Sequence, residues 1–122
     1  MKLIAHGKVS GPCLTPSIKV WGKGDAVEHY KQKIRQAGPP IEQLPERHRF
    51  SVRVDFHLQG SRLQQSDLDN LSKTALDGLF GTFGKPGSRP LDNFVWHLET
   101  RKIEADDQEF TEFWIFDEGP VQ

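Results

Sequence analysis

The feature that most constrains this chain is a strict alternation in which Phe50, Val52, Val54, Phe56 and Leu58 interleave with Ser51, Arg53, Asp55 and His57. Successive side chains of a strand point to opposite faces, so apolar residues at period two require a strand with one face against a core. Such a strand belongs in a sheet, and the sheet needs a covering layer. Looser alternation marks Lys2 to Val9 as a first strand. Phe94, Trp96 and Leu98 begin a third that runs to Ile103, and Phe110 to Phe116 form a fourth. Asp106 and Asp107 lie between these last two, which are expected to pair as a hairpin.

Two stretches have helical spacing. From Asp25, which can cap, to Gln36, the residues Ala26, Tyr30 and Ile34 recur among Glu28, Lys31, Lys33 and Arg35. Gly38-Pro39-Pro40 ends that helix. The second helix is expected over Ser66 to Phe80, where Gly78, Gly81, Gly84, Pro86, Gly87 and Pro90 dissolve it into a loop. The order β-α-β-α-β-β implies an α+β fold, a mixed four-stranded sheet with two helices packed on it. All of residues 1–122 are read as a single domain, a length that supports one modest core.

Composition removes several classes of function. Apolar residues at 35% and charged residues at 27% describe a globular chain, not a disordered one. No apolar run approaches the ~20 residues that span a bilayer, and the first residues lack the apolar stretch of a signal peptide. A lone cysteine, Cys13, excludes an internal disulfide and a cysteine-rich zinc site. A cytoplasmic location is the default expectation. The net charge of −1 hides a segregation: residues 1–102 hold all 16 Lys and Arg against 10 acids, while the last 20 residues hold seven acids and no base. A basic body with an acidic end is compatible with nucleic-acid binding on one face.

The stretch that carries chemistry is Asp67-Leu68-Asp69-Asn70-Leu71-Ser72-Lys73-Thr74-Ala75-Leu76-Asp77. At about 100° per residue, Asp69, Lys73 and Asp77 fall within an arc of roughly 80°. Leu71, Ala75 and Leu79 cluster on the opposite side, with Leu68 beside them. The helix is expected to pack its leucines on the sheet and to present two carboxylates, an ammonium and the Asn70 amide outward. A structural account competes with a chemical one. Ser66-x-x-Asp69 fits a capping box worth about 1 kcal/mol, and Lys73 with Asp77 fits an ordinary i,i+4 pair.

The pattern D-x-D-N-L-x-K-x-x-x-D, here Asp67, Asp69, Asn70, Leu71, Lys73 and Asp77, resembles the RusA-type Holliday-junction resolvases. The resemblance extends to an acid about 20 residues on that leads into an apolar strand, here Asp92-Asn93-Phe94-Val95. It covers residues 48–116 in outline and is specific at the helix and the Asp92 corner. It implies a metal-dependent endodeoxyribonuclease that resolves branched DNA as a homodimer, leaving 5′-phosphate and 3′-hydroxyl ends, of bacterial or phage origin. It implies Asp67, Asp69 and Asp92 as metal ligands, Lys73 as the essential lysine, and Asn70 and Asp77 as supporting residues. The chain departs from the family in its approach to the motif, where Ser61 to Ser66 contain one arginine, Arg62.

Elementary electrostatics agrees with the implied ligand set. Carboxylates brought within ~5 Å repel by about 3 kcal/mol per pair at an effective dielectric of 20, so a cation is needed among them. An oxygen-only set selects a hard ion, Mg²⁺ or Mn²⁺. Lys73, a turn beyond Asp69, is placed to stabilise charge on a phosphoryl group, and Asp77 is expected to orient Lys73. For Asp92 to meet Asp69, either the loop from Gly81 to Leu91 runs back along the helix, making the third strand antiparallel to the second, or Asp92 comes from a partner subunit. The loop's glycines and prolines favour the first. A catalytically inactive nucleic-acid-binding module of the same fold is the alternative reading.

Other cations are candidates for phosphate contact. Arg62, Lys85 and Arg89 flank the motif on expected loops, and Lys102 matches a basic position of the family. His48, between Arg47 and Arg49, is a further candidate. His57 and His97 read as surface histidines, and Lys31, Lys33 and Arg35 as a solvated helix face. Phe83 is a candidate for packing or for stacking on an unpaired base.

Overall fold

The computed structural model describes residues 1–14, 23–81 and 94–121. In chain order the elements are β1 (Lys2–Ser10), α1 (Lys23–Ala37), a 3-10 turn (Ile41–Gln43), β2 (His48–Leu58), α2 (Gly60–Gln65), α3 (Leu68–Phe80), β3 (Val95–Glu104) and β4 (Phe110–Pro120). The α+β fold and the mixed four-stranded sheet match expectation. The strand order is β1-β4-β2-β3, with β4 antiparallel to both β1 and β2, and β3 parallel to β2.

β2 takes the centre of the sheet because its alternation gives it the most to bury. Phe50, Val52, Val54, Phe56 and Leu58 all point into the core and are essentially inaccessible. From β4, Phe113 opposite Val54 and Ile115 opposite Val52 complete the same face. At the edge of the sheet Gly7 of β1 pairs with Phe113 of β4, and a Cβ there would lie 2.6 Å from the Phe113 ring. Leu71, Ala75 and Leu79 of α3 close the core from above, and Tyr30 and Ile34 of α1 join them. On α1 the inward position is Val27, not Ala26, which is exposed. The two helices touch at Gly78, where a side chain would strike Ile34.

Two expectations about the sheet are corrected. β3 and β4 form no hairpin with each other; β2 lies between them. Ala105, just past β3, donates its N–H to the Leu58 carbonyl and so extends the β2–β3 pairing, not a β3–β4 turn. Nor does β3 run antiparallel to β2: Phe50 pairs with Val95 and Leu58 with Glu104. A third difference is local. The segment before α3 folds into the short helix α2, and α3 starts at Leu68, not Ser66. No described helix is long and apolar enough to cross a membrane.

Candidate functional site

α3 begins at Asp67, whose side chain is the cap. Its Oδ1 accepts the Asp69 N–H at 2.9 Å, filling one of the donors that a helix start leaves open. Ser66, expected to cap α3, is instead the C-cap of α2. The structural account is therefore met by one oxygen of Asp67, as the cap, and by Asp69 as an acid in the first turn, where the helix dipole favours it; the second Asp67 oxygen has no such role. Asp67, Asp69, Asn70 and Lys73 are all exposed, as the helical arc requires.

Asp69, Ser72, Lys73, Leu76 and Asp77 form one wall of a groove of about 340 Å³, and Leu98 and Thr100 of β3 form the other. A hydrogen bond of 3.1 Å from Ser72 Oγ to Thr100 Oγ1 ties the two walls together. The periodicity of α3 indicated one wall. The other depends on the parallel placement of β3, and no local signal in the sequence marks Leu98 or Thr100 as lining residues. Leu98 is 41% exposed beside the charged groups, a result of its place on an edge strand.

Asp77 does not pair with Lys73. Lys31 of α1 reaches it, Nζ to Oδ2 at 3.6 Å, because α1 packs against that side of α3. Among the described residues, Lys73 Nζ and the Asp69 carboxylate have no hydrogen-bond or ion-pair partner. Two further basic residues of α1 are also engaged: Lys33 donates to the Ser10 carbonyl at 3.0 Å, and Arg35 to the carbonyls of Leu79 and Pro39. They staple α1 to its neighbours and are not a free solvated face.

The remaining candidates divide. Asp92, Lys85, Arg89 and Phe83 lie outside the described residues. Arg62 is held by Glu109, Nε to both carboxylate oxygens at 3.1 and 3.2 Å. Lys102 donates to two main-chain carbonyls of the α2 end. His48 bonds the Asp117 carboxylate at 2.9 and 3.0 Å. Burial alone would push the Asp117 carboxyl up; the Gly119 N–H and His48 outweigh it and hold the carboxyl below its usual range. His57 stacks on Phe110 at 3.9 Å between ring centroids, and His97 is exposed.

The donors present suit a hard cation. Among the described residues no three of His, Cys, Asp or Glu come together. Mg²⁺ commonly takes one or two protein carboxylates and fills its octahedron with water and substrate phosphate oxygens. Asp67 and Asp69, both exposed at the start of α3, offer oxygen donors only. The described chain re-enters at Phe94, beside the C-terminal end of α3, where Phe80 packs on Phe50 and Phe50 pairs with Val95. The carboxylates Asp67 and Asp69 stand at the other end of α3. No protein-family model matches the chain, and no curated protein matches it significantly.

Proposed function

We propose that this protein is a Mg²⁺- or Mn²⁺-dependent endodeoxyribonuclease acting on branched DNA, with four-way junctions as its substrate. The observation that carries the reading is the groove face of α3. The fold satisfies the helix's leucines, its start and Asp77, yet leaves the Asp69 carboxylate and the Lys73 ammonium exposed and without described partners, a turn apart on one wall. The D-x-D-N-L-x-K pattern that resembles the RusA-type resolvases falls on that same face.

Asp67 and Asp69 would hold the ion, which when bound supplies charge neutralisation and an activated water for phosphodiester hydrolysis. Lys73 places a fixed positive charge one turn along, where a phosphate seated in the groove gains negative charge in the transition state. Leu98 and the Ser72–Thr100 bond give the groove a stiff, partly apolar wall that limits water on one side of the phosphate. Asp92, which lies outside the described residues, would be the third carboxylate, supplied by the same chain or by a second copy. A homodimer also suits a junction whose symmetric strands are nicked in pairs.

The inactive binding module is the second reading, favoured by the cap that occupies one oxygen of Asp67. Nicking of a labelled four-way junction in Mg²⁺ separates the two. The nuclease reading expects cleavage that EDTA abolishes and that Asp69→Asn reduces by at least ~10²-fold at unchanged junction binding. Linear duplex and RNA in parallel define the substrate. Junction binding without metal-dependent cleavage leaves the module as the answer.

A further inference from the structure

Lys102 lies opposite Phe56 on the helix side of β3. Its Nζ donates to the carbonyls of Leu63 at 2.7 Å and Ser66 at 3.0 Å. These carbonyls belong to the last turn of α2 and to its C-cap, where a helix has acceptors left over and where positive charge is favoured. At six residues α2 is far too short to persist alone, so its ends depend on what grips them. At its start, Gln59 donates its side-chain amide to the carbonyls of Ala105, Asp106 and Asp107, and Arg62 binds Glu109. At its end Lys102 holds the main chain, while the Leu63 side chain packs against the core. The next residue after Ser66 is Asp67.

We infer that Lys102 is a positioning residue, not a phosphate contact: by holding the end of α2 it fixes where Asp67 and Asp69 stand. Two of its three N–H donors are committed to main-chain acceptors in a partly buried place, an arrangement that holds it away from a passing DNA strand. The strand beneath it is tied to α3 by a second link two residues away, between Thr100 and Ser72. The part of this inference that concerns the ion rests on the proposed roles of Asp67 and Asp69. The part that concerns the turn does not.

The test compares wild type with Lys102→Met, which keeps the stem and removes the donors, Lys102→Arg, which keeps donors, and Asp69→Asn. Three readouts are taken on the full chain: Mn²⁺ affinity by electron paramagnetic resonance, amide exchange of Asp69 to Leu71, and the salt dependence of junction binding in EDTA. Lys102→Met is expected to weaken Mn²⁺ binding about 10-fold or more, the usual effect of removing an outer-shell support. It should also speed exchange in the first turn of α3 and leave the salt slope unchanged, with Lys102→Arg restoring both losses. Wild-type exchange in Lys102→Met overturns the inference. So does a salt slope lowered by about one, the mark of a lost phosphate contact. If Lys102→Met does not fold, Lys102→Gln is measured in its place by the same criteria. Wild-type protein that binds no Mn²⁺, or binds it equally well after Asp69→Asn, refutes the nuclease reading alone; the exchange data still decide the role of Lys102.

Discussion

Asp55 shows how far a single residue can depart from its place in a pattern. It alternates outward from β2, yet it is only 3% exposed. Arg101 from β3 binds it at 2.9 and 3.2 Å, and Arg53 binds it from its own strand at 3.5 and 3.2 Å. Burial would raise its pKa, but the two guanidiniums outweigh that and hold the carboxyl below the usual range. A carboxylate lowered in the folded state adds stability above its unfolded pKa of about 3.9, and the gain is lost as pH falls through the folded value. Asp55→Asn is therefore expected to cost about 2 kcal/mol at pH 7. The gap from wild type should begin to narrow below about pH 4 and keep shrinking as pH falls through the folded value, as urea unfolding across that range would report. A gap that stays constant from about pH 7 down to about pH 3 means the ion pairs do not set the stability. The alternation correctly put Asp55 on the face opposite the core, but not its partner, because Arg101 reaches it across the β2–β3 pairing. Cys13 is the converse case: burial pushes its thiol up to about 12, which favours the protonated form, and nothing in its neighbours along the chain indicated that it would be buried.

At the scale of elements, α3 was the most legible. Its leucine face and its charged face follow from spacing, and its C-terminal end from the glycines and prolines after it, since both signals are local. What spacing did not show is how closely α1 approaches. A Cβ on Gly78 would sit 2.3 Å from Ile34 Cγ2 and 3.1 Å from the Lys31 carbonyl. Gly78→Ala gains about 1 kcal/mol of helix propensity, but the helices must part to admit the methyl group, an overpacking cost of about 1–3 kcal/mol. A net loss of about 1 kcal/mol is expected, read as a lower midpoint in thermal or urea unfolding; a stabilised variant would show that the helices have room. The Lys31–Asp77 pair would loosen with the same shift, linking this contact to the edge of the groove. The short helix α2 was not legible, because its order comes from Gln59, Arg62 and Lys102 pairing with groups distant in the chain, not from the spacing of its six residues.

For the molecule as a whole, the strand order decides which parts are held most firmly. β2 and β4 each have neighbours on both sides, whereas β1 and β3 are edges. β3 also leaves Trp96 60% exposed, with the Arg49 guanidinium 5.4 Å from its ring. Native-state hydrogen exchange should therefore show the slowest amides in β2 and β4, opening only with global unfolding, and faster exchange along β3 and β1. Equal protection of β3 would mean that its outer edge is paired in solution, which would locate the partner surface of a dimer.

The residues alone determined that this chain makes an α+β sheet with a leucine-faced helix, and that the helix presents Asp69 and Lys73 to solvent. Those outcomes depend on periods of two and 3.6, which are written in neighbouring positions. Only the tertiary structure decided that β2 separates β3 from β4, that Leu98 and Thr100 form the second wall of the groove, and that Asp77 and Lys102 spend their charges on Lys31 and on main-chain carbonyls. The physical reason is that the partner of a strand or a charge is set by competition among residues far apart in the chain. Here the most apolar strand won the central place, and the pairings around it followed.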